Sequence, residues 1–155
     1  MHDETLKITE VRGRRYQIGK MTPLVASRIH GWLVYAAVQM VQKADSKKPE
    51  ENPVEIPMDP IKRAEGTVGM LWIAAAAILS EETYAKIQGY CLRSCSYFTT
   101  DDQTTAAPVM MNDGRWALKD LENDPISVDN LISESLQFNI APFFHEAMSR
   151  AVAQT

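Results

Sequence analysis

Two cysteines and two histidines are the side chains here best suited to nucleophilic or metal chemistry. Cys91 and Cys95 stand four apart in a segment that reads as helical, with His30 and His145 far off in sequence. Thiolates at that spacing face one way from a helix, and with the two imidazoles they would make a zinc site. Structural zinc sites draw on a second close pair of ligands, and the sequence has none. A Cys–His nucleophile needs a base within hydrogen-bond reach, and nothing in the spacing selects one. Two small buried thiols are the simplest reading, since free cysteine is among the most buried residue types. Asp101, Asp102 and Asp113 offer carboxylates to a hard cation, but they lack the alternating oxygen ligands of a calcium loop and read as solvated acids. Gly13 and Gly19 stand in no phosphate-binding frame. The residues therefore call for no catalytic, cofactor or metal site, and the expectation is a protein that is not an enzyme.

What must position any working surface is one domain's worth of chain. With 155 residues, 45% of them hydrophobic, the sequence can build one proper core and is short for two. A net charge of −4 argues against nucleic-acid binding and against anionic membranes, both of which want a basic footprint. The charge is unevenly spread: residues 1–28 hold six basic and three acidic side chains, residues 101–155 three and nine. The ends are complementary, and charge alone leaves open whether they meet within one chain or between copies. The longest unbroken apolar run, Met70 to Leu79, is too short to span a bilayer, which needs about 20 residues. Cysteines on adjacent helical turns and an N-terminus without a leader pattern give the expectation of a reducing cytosol.

The stretch from Tyr16 to Gln42 organises the rest. Residues 1–20 read as a β-hairpin: Thr5–Val11 and Arg15–Ile18 alternate, and Arg12-Gly13-Arg14 supplies the turn. A lone hairpin is marginal in water and needs a cover. Thr22-Pro23 is a cap followed by a proline at the first helical position, opening a helix over residues 22–42. Val25, Ile29, Trp32, Leu33, Ala36, Met40 and Val41 recur at three- and four-residue steps and are its expected buried face. Residues 43–58, with prolines and charges and few large apolar side chains, read as a mobile loop.

Asp59-Pro60 repeats the cap signature, so residues 59–94 read as two helices. Ile61, Ala64, Val68, Leu71, Trp72, Ala75, Ile78 and Leu79 form the core face of the first, and Ser80-Glu-Glu-Thr caps the second. Residues 95–125 lose helical period and suit short strands, leaving a second short hairpin open near residues 97–111, with a turn at Asn112-Asp-Gly114. Residues 126–153 resume a helical stripe through Val128, Leu131, Ile132, Ser135, Leu136 and Asn139, continued by Ile140, Phe143, Phe144, Ala147 and Val152. The fold class is mainly α: a small helical domain with an N-terminal β-hairpin.

The order of these parts, with Tyr16-x-Ile18-Gly19-Lys20-Met21 near the front and Asn139-x-x-x-Phe143-Phe144 near the end, resembles the tail assembly chaperones of long-tailed bacteriophages. The likeness spans most of the chain, through short motifs. It implies a non-enzymatic protein of the infected host's cytoplasm, absent from the mature virion. Such a chaperone binds the tape-measure protein, keeps it soluble and helps recruit tail-tube subunits. The expected partner surface comprises Leu6, Ile8, Tyr16 and Ile18 of the hairpin, Trp32 of the first helix, and Phe143 and Phe144. Complementary charged ends suit a homo-oligomer. The alternative is a structural tail-completion or head–tail joining protein of the virion.

Overall fold

The computed structural model describes residues 5–44 and 60–153. Expectations for residues 45–58 and for the Asp59 cap lie outside the described residues, as do the side chains of Ile61, Ala64, Ala147 and Val152. Strands β1 (Leu6–Val11) and β2 (Arg14–Gly19) form the hairpin and lead into α1 (Pro23–Ala44). Helices α2 (Pro60–Ile78) and α3 (Glu81–Arg93) follow, then β3 (Cys95–Phe98) and β4 (Ala106–Pro108). A short 3-10 helix, Lys119–Asn123, precedes the long α4 (Pro125–Ala153). Helix dominates, as the sequence pattern predicts, and α1 runs through residues 43 and 44, where the pattern ends the helix early.

Local signals set the boundaries. Arg12 and Gly13 both take positive φ, 51° and 83°, so the β1–β2 connection is a two-residue turn whose twist matches the strands it joins. The Val25 amide lies 3.4 Å from the Thr22 hydroxyl, and the Thr83 amide donates to the Ser80 hydroxyl at 3.2 Å. The α4 cap is Asp124, whose carboxylate accepts from the Ser127 amide and hydroxyl, and Pro125 stands at the first helical position.

The two hairpins join into one antiparallel sheet in the order β1-β2-β3-β4, with Tyr16 opposite Tyr97 and Ile18 opposite Cys95. The second hairpin begins earlier than the pattern suggests. Just past β4, Val109 still donates its amide to the Cys95 carbonyl at 3.1 Å and is fully buried, and Met110 pairs with Trp116 in an isolated bridge. Helix α4 is the element common to both halves: it packs on β1 and β2 and also against α1, α2 and α3. Its stripe reads as expected, with Leu131, Ile132, Leu136 and Ile140 fully buried. Four such side chains withdrawn from water contribute about 1.5–3 kcal/mol each.

Two expectations for α1 fail. Ile29, Leu33 and Ala36 are buried, but Met40 and Val41 are exposed. Helix α1 is apolar around most of its circumference, so its period does not say which arc the domain covers. For the same reason Pro23–Lys43 is long and apolar enough, by length and composition alone, to cross a membrane, which a search for unbroken apolar runs passes over.

Candidate functional site

The two motifs that carry the family resemblance lie more than a hundred residues apart, and they meet. Gly19 ends β2, and Lys20 and Met21 begin the link to α1. Asn139, buried in α4, binds that link from both sides: the Met21 amide donates to Asn139 Oδ1 at 2.8 Å, and Asn139 Nδ2 donates to the Gly19 carbonyl at 3.2 Å. The same Nδ2 donates to the Ser135 carbonyl at 3.1 Å. The Gly19 amide in turn donates to the Ser94 carbonyl at 2.8 Å, and the Ser94 and Ser135 hydroxyls are 2.7 Å apart. This polar network ties β2, the α3–β3 link and α4 together inside an apolar core. Among the described residues no buried side-chain nitrogen or oxygen lacks a partner, so the network stabilises the fold without an orphaned group.

Lys20 completes the junction in a way that depends on Pro142. A proline inside a helix has no N–H, so the carbonyl four residues earlier loses its helical donor. In α4 that carbonyl belongs to Phe138, and Lys20 Nζ donates to it at 2.8 Å while standing 3.9 Å from the centre of the Phe138 ring. Beyond the proline, Phe143 stacks on His30 of α1 with ring centres 5.0 Å apart and 19° between planes, and Phe144 meets the same imidazole at 4.9 Å. Burial lowers the His30 pKa. The imidazole thus serves as an aromatic bearing for the end of α4.

The expected partner residues divide between two sides of the sheet. Cross-strand neighbours share a face, and Ile8 pairs with Gln17 whereas Tyr16 pairs with Thr9. Leu6 and Ile8 therefore lie opposite Tyr16 and Ile18. The first two are 50% and 59% exposed, and the second two are 2% and 0% exposed. Tyr16 and Ile18 belong to the core and cannot form a partner surface in the folded protein, which corrects the expectation of a single hairpin patch. Trp32 and Phe144 are half-buried against the core, and Phe143 keeps an exposed edge.

The complementary ends meet within one chain. Lys7 pairs with Glu134 at 2.8 Å, Arg12 with Asp124 at 3.1 Å and Arg14 with Asp120 at 3.0 Å. These pairs clamp the hairpin to α4 and to the 3-10 helix before it, so part of the charge complementarity of the two ends is used within one chain. Each is exposed enough to contribute only ~0–1 kcal/mol.

Cys91 and Cys95 are both fully buried, and neither is disulfide-bonded. Burial raises both thiols, that of Cys95 to about 12, so each stays protonated at neutral pH and is a poor nucleophile. No group of three metal-binding side chains comes together among the described residues. Asp113 is engaged by Arg115 at 2.6 Å, and the Thr100 and Thr104 hydroxyls lower the Asp102 pKa.

The sequence pattern places Asn139 on the stripe of the last helix and Lys20 only within a motif, and assigns neither a partner. The available signal was a pair of polar residues four apart, Ser135 and Asn139, inside an otherwise apolar helical stripe. No family model, curated protein or solved structure matches the chain.

Proposed function

We propose that this protein is a tail assembly chaperone of a long-tailed bacteriophage. It binds the tape-measure protein, keeps it soluble and helps bring tail-tube subunits to it, acting in the host cytoplasm and leaving before the virion is complete. The observation that carries this reading is the meeting of the two resemblance motifs: Gly19, Lys20 and Met21 are held by Asn139 and the Phe138 carbonyl. The motifs thus form one structural unit, which supports reading them together. The unit positions a sheet that is covered by α4 on one side and carries Leu6 and Ile8 into solvent on the other.

Such a sheet suits a chaperone. β1 is an edge strand of the sheet, and its exposed apolar side chains and an edge that no described strand pairs can hold an extended or helical segment of a long partner without chemistry. The partner surface is accordingly Leu6 and Ile8, with the exposed edge of Phe143, and excludes Tyr16 and Ile18.

Co-expression with a tape-measure fragment tests the reading. A chaperone raises the soluble fraction of the fragment and co-purifies with it, and Ile8→Glu abolishes both effects while the protein stays folded. Failure to bind or solubilise the fragment overturns the proposal, and recovery of the protein from purified particles favours the structural virion component instead.

A further inference from the structure

A second surface, on other elements, is less ordinary than the sheet. Between Gly31 and Val41 of α1, and between Gly66 and Ile78 of α2, the chain has no charged side chain. The exposed residues in both spans are nonpolar apart from the Tyr35 phenol. On α1, Val34, Tyr35, Val38 and Val41 recur on one solvent-facing arc, and on α2 Met70 and Ile73 are 73% and 72% exposed. The two helices pack side by side. A surface helix normally turns charged or polar residues outward, and within these two spans α1 and α2 do not, the exposed Ser27, Arg28, Gln42 and Lys43 of α1 lying outside them.

We propose that the outer faces of α1 and α2 are the interface of a two-fold dimer of this chain. The six large side chains leave roughly 650 Å² in water, above the roughly 300–600 Å² of the largest apolar patch on a typical monomer and near the ~800 Å² each partner gives a standard interface. The charge pattern selects a second copy as occupant. Around a two-fold axis a surface meets itself, so any charge near the axis faces its own kind, and an uncharged stripe escapes that repulsion. Interfaces between identical subunits are also the more apolar class. Gly66, Ala76 and Ala77, exposed on either side of Met70 and Ile73 along α2, let a second helix approach closely. The ion pairs between the two charged ends lie within the chain and away from this face, so this contact rests on shape and burial rather than on charge. The outer sheet face belongs to other elements and stays open in the pair, so the inference stands independently of the chaperone reading.

Sedimentation equilibrium of the full chain across a wide concentration range tests it. The expected mass is twice 17.4 kDa, falling toward the monomer on dilution. Ile73→Glu and Val38→Glu each place a charge against its own copy and raise the dimer dissociation constant at least tenfold, on the order of a typical like-charge penalty, with an unchanged helical circular-dichroism spectrum. Ile8→Glu, on the sheet, leaves the dimer intact. A monomer at every concentration overturns the proposal, as does a dimer that both α-helical substitutions leave untouched. Monomer that partitions onto neutral phosphatidylcholine vesicles overturns it in favour of a bilayer as the occupant. Should Ile73→Glu fail to fold, Met70→Gln, at an equally exposed position, reads the same interface.

Discussion

The α4–hairpin junction and the outer face of α1 and α2 solve opposite problems. At the junction polar groups are buried, and every one is matched: Asn139 serves the Gly19 carbonyl, the Met21 amide and the Ser135 carbonyl at once. On the outer face apolar groups are exposed, and nothing among the described residues covers Met70 or Ile73. The first arrangement is stable because desolvation is repaid atom by atom. The second has burial energy still to gain, which an isolated domain cannot collect. A region that has used its interactions maintains the fold, and a region that has not is where a partner adds stability.

Truncation tests that contrast with one kind of substitution at two places. Leu136→Ala, in the fully buried stripe of α4, should lower unfolding free energy by about 3 kcal/mol through lost transfer energy and a cavity. Ile73→Ala should change it by less than ~0.5 kcal/mol, measured by urea unfolding at a concentration low enough to populate monomer. Equal losses at the two sites would mean that the outer face is covered within one chain.

The junction makes a sharper claim, about polar rather than apolar energy. Asn139→Leu keeps the branched skeleton of the side chain but strands the Met21 amide and the Gly19 carbonyl, and should cost about 2–3 kcal/mol. A loss below ~0.5 kcal/mol would show that water or a shifted neighbour replaces the amide.

The two regions also differ in titration. Cys95 lies in the buried half and has its pKa raised by burial from 9.0 to about 12, so the native thiol stays protonated while the unfolded chain ionises. Its contribution is complete below about pH 9 and declines as pH rises toward 12, with a slope of about 1.4 kcal/mol per pH unit. Cys95→Ala should flatten the alkaline limb of a stability–pH curve relative to wild type, and Ile73→Ala should leave that limb unchanged.

These contrasts also explain what the sequence does and does not disclose. Ends of elements are local, and Thr22-Pro23, Ser80 and Asp124-Pro125 mark them with a hydroxyl or carboxylate beside a backbone that needs it. The α4 stripe is legible because the polar residues Asp129, Asn130, Ser133, Glu134 and Gln137 separate its buried positions between Leu131 and Ile140 from the rest of the helix. The hairpin is not: Leu6 and Ile8 on one face and Tyr16 and Ile18 on the other are all apolar, so alternation identifies two faces without saying which one α4 covers. Helix α1 presents the same ambiguity around its circumference, which is why Met40 and Val41 read as core. The pairing of β2 with β3 joins residues about 80 apart, and no local pattern contains it. The candidate site was present only as two motifs whose shared purpose is spatial.

The smallest expected effect isolates the logic of the junction most directly. Lys20→Met keeps most of the side-chain volume and removes the donor to the Phe138 carbonyl, at a cost of about 1 kcal/mol for a hydrogen bond with an exposed partner. If the ammonium is there because Pro142 supplies no N–H, the cost must depend on the proline. Pro142→Ala restores an amide that can donate to Phe138 within the helix, so Lys20→Met in that background should cost clearly less. The double-mutant cycle then gives a coupling of roughly 0.5–1 kcal/mol. Additive effects would mean that Lys20 acts only through its charge over the Phe138 ring, and that the break in α4 at Pro142 is satisfied by solvent.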